Sequence, residues 1–266
     1  MTSGMAEGGA NLGIVRGQNV KLDPAPPLDY SRGEDEAALG VRMWTDPGGG
    51  YFYSSQGAHV ASIVARHLTG MELQAFIGEK LAAPMGFGGW GYETVWPVLG
   101  VGKLPHSFGG AGVALRATDA LRFAYLLLRQ GRWGNRQLVP ADYVGLCGQP
   151  SPYNVHSPFS LQFEVNRDGH VFGAPRDAFF KSGAGGFCVY AVPSLDLAVY
   201  KMSFASLGGG RPYDLGFSSG AKVAEPQDPR DDWAPHAANQ FVDGPVDGDA
   251  GTRRTLELVV SSVVDG

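Results

Sequence analysis

Cysteine is nearly absent from this chain of 266 residues, where only Cys147 and Cys188 occur. A disulfide framework is therefore excluded. One bridge stays open, but both residues stand in apolar runs, Val144-Gly145-Leu146-Cys147 and Phe187-Cys188-Val189, which reads as two buried thiols. Long hydrophobic runs are missing as well. Nothing approaches the ~18 consecutive apolar residues of a membrane-spanning helix, so no transmembrane segment is expected. The opening MTSGMAEGG has neither the charged nor the apolar region of a signal peptide, and localisation is not legible. Basic charge is scarce, with 21 Lys and Arg against 26 Asp and Glu and a net charge of −5. No basic run marks a nucleic-acid or anionic-membrane surface, and no nucleic-acid partner is expected. The six histidines, at 59, 67, 106, 156, 170 and 236, form no His-x-x-x-His pair, and Cys-x-x-Cys is absent. His59 and His67 lie two helical turns apart, so neither a metal nor another cofactor is expected.

Apolar material is ample at 44%, and glycine is abundant at 40 residues with 18 prolines. That glycine content is more than twice the average of about 7% and belongs to turns and close backbone approaches in a folded chain. Residues 1–50 show little periodicity and many turn formers, such as Asp23-Pro24-Ala25-Pro26-Pro27 and Asp46-Pro47-Gly48-Gly49-Gly50, so order is expected to begin at Tyr51. From Gly57, Val60, Ile63, Val64, His67 and Leu68 recur at helical spacing until Thr69-Gly70. A second helix is predicted from Glu72 to Ala82, ended by Pro84. Thr118 or Asp119 caps a third that carries Leu121, Tyr125 and Leu128 and stops at Gly131.

The period changes at Phe159. FSLQFEV, DAFFKSG, GFCVYAV and LDLAVYKM read as strands, and the short Ala184-Gly185 and Pro193-Ser194 connections predict an antiparallel meander. Leu256, Val259, Val260, Val263 and Val264 form a closing helical stripe that lies on the sheet. The expectation is one α+β domain over residues 1–266, an antiparallel sheet flanked by helices. It has a mainly helical lobe at about 51–147, with the sheet and C-terminal helix at about 159–266. No signal for oligomeric state is present.

Two serine motifs compete as nucleophiles. Ser219-Gly220-Ala221-Lys222 matches Ser-x-x-Lys, and Gly216-Phe217-Ser218-Ser219-Gly220 matches Gly-x-Ser-x-Gly. Both lie in RPYDLGFSSGAKVAEPQDPRDD, with no strand before and no helix after, so they read as loop. His106 and His156 read as solvated loop histidines, and Asp119 as a first-turn helix acid. Taken alone, Tyr53 is an ordinary aromatic beside Tyr51 and Phe52, and Lys181 the exposed end of a strand.

Three segments taken together carry more. Asp46 to Phe87 (DPGGGYFYSSQGAHVASIVARHLTGMELQAFIGEKLAAPMGF), Gly109 to Val144, and Phe180 to Tyr200 (FKSGAGGFCVYAVPSLDLAVY) resemble, in order, three blocks of the serine β-lactamase and penicillin-binding-protein-like hydrolases. That family includes class C β-lactamases, related esterases and D-aminopeptidases. The resemblance implies acyl transfer through a serine in Ser-x-x-Lys, a tyrosine that moves its proton, and a Lys-Thr-Gly strand beside the oxyanion hole. It assigns Tyr53 as the tyrosine, Lys181-Ser182-Gly183 as the Lys-Thr-Gly element and the N–H of Ala184 as an oxyanion donor. Gly183 fits a strand edge against which a substrate lies. Ser55 stands where the family usually has Asn, which disfavours β-lactam hydrolysis more than ester hydrolysis. No Ser-x-x-Lys precedes Tyr53: Ser3 is followed three positions on by Ala6 and Ser31 by Glu34, and Ser54, just after the tyrosine, is followed by Gly57. The expectation is thus an N-terminally truncated β-lactamase/transpeptidase-like chain without its first strands and nucleophile helix. Its whole form would hydrolyse a small-molecule ester, amide or peptide, and as given it would be inactive. The alternative is a non-catalytic relative that binds a peptidoglycan-like or peptide ligand.

Overall fold

In the computed structural model, residues 3, 5, 12–16, 18–22, 29, 34–92, 107–110, 112–157, 159–183, 187–202 and 249–264 are described. They divide between two compact units. One holds the described residues up to 114 together with 151–157, and the other holds 115–150 and the described residues from 159 onward.

The second unit is organised by the pleat of its sheet. Strands β7 (Glu164–Val165), β8 (Phe179–Ser182), β9 (Cys188–Val192) and β10 (Leu197–Lys201) form an antiparallel meander in the order β10-β9-β8-β7. Register pairs Phe180 with Tyr190, Lys181 with Val189 and Ser182 with Cys188. Because successive side chains point to opposite faces, Phe180, Cys188, Tyr190 and Val192 enter one core while Phe179 and Ala191 enter another. Helix α7 (Asp249–Val264) covers the first face with Leu256 and Val260, each contributing about 1.5–3 kcal/mol by burial. The Tyr190 hydroxyl donates to the Thr252 carbonyl at 2.9 Å and fixes the helix along its length. Helices α5 (Ala117–Leu128) and α6 (Ala141–Cys147) cover the second face through Leu127, Val144 and Cys147. The helices of 115–150 thus lie in one compact unit with the sheet.

The meander and the closing helix agree with the sequence reading, whereas several details are corrected. Helix α5 starts after Arg116, with Thr118 and Asp119 already inside it, and Asp119 is fully buried and paired with Arg122 at 2.7 Å. Its buried stripe holds Ala120, Ala124 and Leu127, whose two alanines let the helix lie close on β9 and β10, while Leu121 and Tyr125 face out. FSLQFEV is strand only at Glu164–Val165. Phe159 bridges to Glu164 across a tight reversal with Gln162 at φ 72°. Gly131 follows the end of α5 at φ 78°, and a Cβ there would lie 2.1 Å from the Val139 carbonyl oxygen.

Residues before Tyr51 are more ordered than their turn-rich composition suggests. In the first unit β1 (Leu12–Val15) and β2 (Gln18–Lys21) pair as a hairpin, and α1 spans Glu34–Leu39. Tertiary contacts supply that order: Ile14 and Tyr51 exchange two backbone hydrogen bonds of 2.8 Å. Helix α2 runs Ser55–Thr69, and Gly70 closes it in the left-handed conformation. The next helix does not stop at Pro84. It passes from α3 (Leu73–Ile77) through a π-helical turn at Gly78–Ala82 into α4 (Ala83–Met85). Within that wide turn the Ala83 N–H reaches Gly78, and Pro84 falls at the start of the new segment, where its missing N–H is tolerated. Strands β3 (Trp90–Tyr92) and β4 (Val113–Leu115) pair with each other. No helix among the described residues is long and apolar enough to cross a membrane.

The two cysteines are free and buried in the cores on opposite faces of the sheet, as two thiols rather than a bridge. Burial pushes Cys147 up to about 11 and Cys188 up to about 12. Since the thiolate is the reacting species, a disulfide reagent at pH 8 is expected to modify the native protein at least ~100-fold more slowly than the unfolded chain. Equal rates in a stopped assay of both states would contradict the burial.

A charged cluster ties α7 to β7. Glu164 accepts from His170 Nε2 at 2.8 Å and from Arg253 at 2.9 and 3.2 Å, and Asp168 holds the other ring nitrogen at 2.6 Å. Burial pushes the Glu164 carboxyl up, but the His170 and Arg253 hydrogen bonds outweigh it and hold it below its ordinary value. The Glu164 hydrogen bond, opposed by burial and helped by Asp168, raises His170. A raised histidine stabilises the fold fully below its unfolded pKa of about 6.5 and loses that contribution as pH rises through the folded value. A lowered carboxylate contributes above about 4.5 and loses it as pH falls through the folded value. Both contributions are complete between these limits. His170→Gln is therefore expected to cost about 1–2 kcal/mol near pH 6 and much less at pH 9. Thermal melts of both proteins across that range check it, and a pH-independent difference would refute it.

Candidate active site

The head of α2 presents the first group of candidate residues. Ser54 is extended, at φ −135° and ψ 114°, and its Oγ accepts the Gly57 N–H at 2.9 Å, a helix N-cap. Tyr51, Phe52 and Ser54 are buried, Phe52 packing with Leu22 and Trp44. Tyr53 alone in this segment is turned outward, 46% exposed, and Ser55 follows, half-buried, as the first helical residue. Glycine is needed just before it: a Cβ on Gly50 would fall 2.3 Å from the Trp44 ring. Tyr53 and Ser55 are thus held at a helix N-terminus by buried neighbours on both sides.

Below this head the apolar stripe expected of α2 is not the buried one. Val64 and Leu68 are exposed, while Gln56, His59 and Ser62 are buried. The polar face is turned inward because a hydrogen-bonded array waits for it. His59, 1% exposed, meets Asp35 of α1 through Nε2 at 3.0 Å, and its Nδ1 accepts the Gly109 N–H at 3.1 Å. Arg66 pairs with the same Asp35 and with Glu72. Glu72 in turn accepts the Ser107 N–H at 3.2 Å, and Ser107 Oγ accepts the Gln74 N–H at 3.2 Å. Sequence reading missed this group, since Asp35 lies in a stretch read as loop. The one available signal was the helical spacing of Gln56, His59, Ser62 and Arg66.

Ser62, His59 and Asp35 have the distances of a nucleophile, base and acid, with Ser62 Oγ 3.2 Å from Nδ1. Their bonding is that of a scaffold. The Ser62 hydroxyl donates to the His59 carbonyl at 2.6 Å, and the Nδ1 lone pair is taken by Gly109. A Cβ on Gly109 would lie 2.7 Å from Ser62 Oγ, so the Gly109 turn packs directly against the serine.

The second group of candidates stands in the other unit at the end of β8. Lys181 shares the face of Phe179, with Nζ 5.6 Å from the centroid of the Phe159 ring, a cation–π contact. Ser182 pairs with Cys188, and the Gly183 N–H donates to the Phe187 carbonyl at 2.8 Å. Among the described residues a Cβ on Gly183 would meet nothing closer than Phe187 Cβ at 4.0 Å. None of the described residues therefore demands glycine there. Ala184, Ser218, Ser219, Lys222 and His106 lie outside the described residues. His156 is exposed and bonded through its backbone N–H to Asn154. Among the described residues no group of His, Cys, Asp and Glu is arranged to hold a metal ion.

No family model and no curated protein matches the chain. Solved structures do. A penicillin-binding protein homolog from Caulobacter crescentus is similar at 15% identity and TM-score 0.51, over 68% of this chain and 61% of that one. A protein from Bacillus anthracis assigned as a 6-aminohexanoate-dimer hydrolase is similar at 17% identity and TM-score 0.50, over 64% of this chain and 42% of that one. A mutant simvastatin synthase from Aspergillus terreus is similar at 14% identity and TM-score 0.50, over 96% of this chain and 75% of that one. The chain thus spans less than two thirds of the length of the first two. With the antiparallel meander between α5/α6 and α7, these likenesses identify its fold as that of the β-lactamase and penicillin-binding-protein-like hydrolases.

Proposed function

We propose that this chain supplies the tyrosine and lysine arms of a β-lactamase-related serine hydrolase that cleaves an ester or amide through an acyl-enzyme. The observation that carries the reading is Tyr53, turned outward at the head of α2 while Tyr51, Phe52 and Ser54 are buried around it. A tyrosine kept for packing would be drawn inward with its neighbours. In the proposed reaction a serine hydroxyl oxygen adds to the substrate carbonyl carbon and gives up its proton to the lysine of Ser-x-x-Lys or to Tyr53. That proton passes to the departing alcohol or amine, and water then releases the acid by the same route in reverse. Lys181 supplies positive charge to the reaction, and the backbone N–H after Gly183 supplies one oxyanion donor. The short Ser55 hydroxyl in place of an amide favours esters over β-lactams.

The nucleophile is the part this sequence does not contain before Tyr53. We place it in a longer reading frame, in keeping with the 42% and 61% of the first two relatives that the chain spans. Expression of this chain and of the longest frame containing it, each with a p-nitrophenyl ester, a chromogenic β-lactam and a fluorophosphonate probe, tests the proposal. The long form is expected to be labelled on a Ser-x-x-Lys serine and to prefer the ester. Tyr53→Phe in that form is expected to lower kcat by roughly 100-fold or more. Labelling and equal turnover by the 266-residue chain alone would overturn this and direct attention to Ser218 and Ser219. A long frame without Ser-x-x-Lys that still binds a peptidoglycan-like peptide would favour the non-catalytic alternative.

Gly183 gives an independent check. Gly183→Ala is expected to leave stability within about 0.5 kcal/mol, because the added Cβ finds space. It is also expected to weaken substrate turnover or ligand affinity about tenfold, by crowding the strand edge. A melt and a titration on the same variant separate the two, and an unaffected titration would remove Gly183 from the site.

A further inference from the structure

We propose that His59 is a positioning residue: it holds the head of α2, and so Tyr53 and Ser55, through the backbone of Gly109 and Gly110, and the hold is released when its imidazole gains a second proton. The inference rests on the reading of Tyr53 and Ser55 as site residues, but its geometry does not.

A backbone N–H can only donate. The 3.1 Å contact from Gly109 N therefore assigns the lone pair of His59 to Nδ1 and its proton to Nε2, which donates to Asp35 at 3.0 Å. This one tautomer joins α1, α2 and the turn at 107–110. The other end of that turn is pinned at Ser107, which donates its N–H to Glu72 and accepts the Gln74 N–H. One residue beyond the Gly109 pin the chain lies against the first turn of α2, where a Cβ on Gly110 would stand 2.4 Å from the Ser55 carbonyl oxygen. A shift of Gly109 is therefore transmitted to Gly110, and from there to Ser55.

Protonation removes the contact outright. An Nδ1–H and the Gly109 N–H are both donors and cannot share a bond, so the turn must move away or lose its partner. Among the described residues, the charged groups facing the ring are Asp35 from α1 and, through Asp35, Arg66 of α2, which is itself shared with Glu72 beside α3. Asp35 favours the added proton, and Arg66 opposes it. The neutral Ser62 hydroxyl and the Phe108 ring, 4.7 Å away centroid to centroid, also face it.

The experiment is an acid titration of the ¹⁵N-labelled 266-residue chain by NMR, with His59→Asn and His59→Gln alongside. The Asn amide oxygen overlays Nδ1 and keeps the Gly109 bond, whereas the Gln amide reaches towards Asp35 and leaves Gly109 without its acceptor. The imidazole is expected as the Nε2–H tautomer above neutrality. On acidification the amides of Gly109, Gly110, Ser55 and Tyr53 are expected to follow the His59 curve. Protection of the Gly109 amide from exchange should fall roughly tenfold. His59→Asn is expected to abolish that pH dependence with Tyr53 in its native position, and His59→Gln to displace Tyr53 at every pH. An Nδ1–H tautomer, a Tyr53 amide indifferent to the His59 titration, or equal effects of Asn and Gln would overturn the inference. The wild-type titration suffices if either variant fails to fold. A Tyr53→Phe long form with full activity would instead defeat the catalytic reading and leave these NMR results untouched.

Discussion

Strand β8 sends Phe179 and Phe180 to opposite faces of one sheet, and both must leave water. That constraint dictates the layering of the second unit. Phe180 meets Tyr190, Leu256 and Val260 under α7, while Phe179 meets Leu127, Val144 and Cys147 under α5 and α6. Lys181, next along the strand, inherits its face from Phe179, so its place beside the Phe159 ring follows from the packing of two phenylalanines. Loss of either covering layer would expose one ring and misplace the lysine.

The first unit solves a different problem. Its central helix buries Gln56, His59 and Ser62 and turns Val64 and Leu68 to solvent, against the usual economy of apolar burial. Buried polar groups are tolerable only when paired, and here the pairing extends from Asp35 through His59, Arg66 and Glu72 to the backbone of residues 107–110. Such an array adds little net stability compared with an apolar core of the same volume, but it is directional. It specifies where a glycine turn lies against the end of a helix, and that end carries the exposed tyrosine.

Electrostatics in the second unit are used in the same local way. Glu164 is nearly inaccessible, yet it remains ionised because His170 and Arg253 hydrogen-bond to it. Arg253 belongs to α7, so the ion cluster fixes one end of the helix whose apolar residues cover the sheet. Backbone groups of the β7–β8 connection are satisfied by Asn166, which accepts the Val171 N–H at 2.8 Å and donates to the carbonyls of Val171, Ala174 and Pro175. Each unit thus anchors its irregular segments on one or two buried polar side chains.

The alternating pattern of 179–201 and its two short connections were enough to determine an antiparallel meander, because a period of two admits only one arrangement of faces. The stripe at 256–264 likewise determined a covering helix, and the Tyr53 and Lys181 segments the fold they belong to. The inward face of α2 was not determined in this way. Val60, Val64 and Leu68 and Gln56, His59 and Ser62 are both helical stripes, and only the presence of Asp35 and Gly109 chose the polar one. For α5, alanines were chosen over Leu121 and Tyr125 because the sheet lay close enough to reward small side chains. The order before Tyr51, legible in composition only as turns, came from Ile14 pairing with Tyr51. Local sequence carries period and turn chemistry, whereas the choice between two equally periodic faces depends on partners that only the folded chain brings into reach.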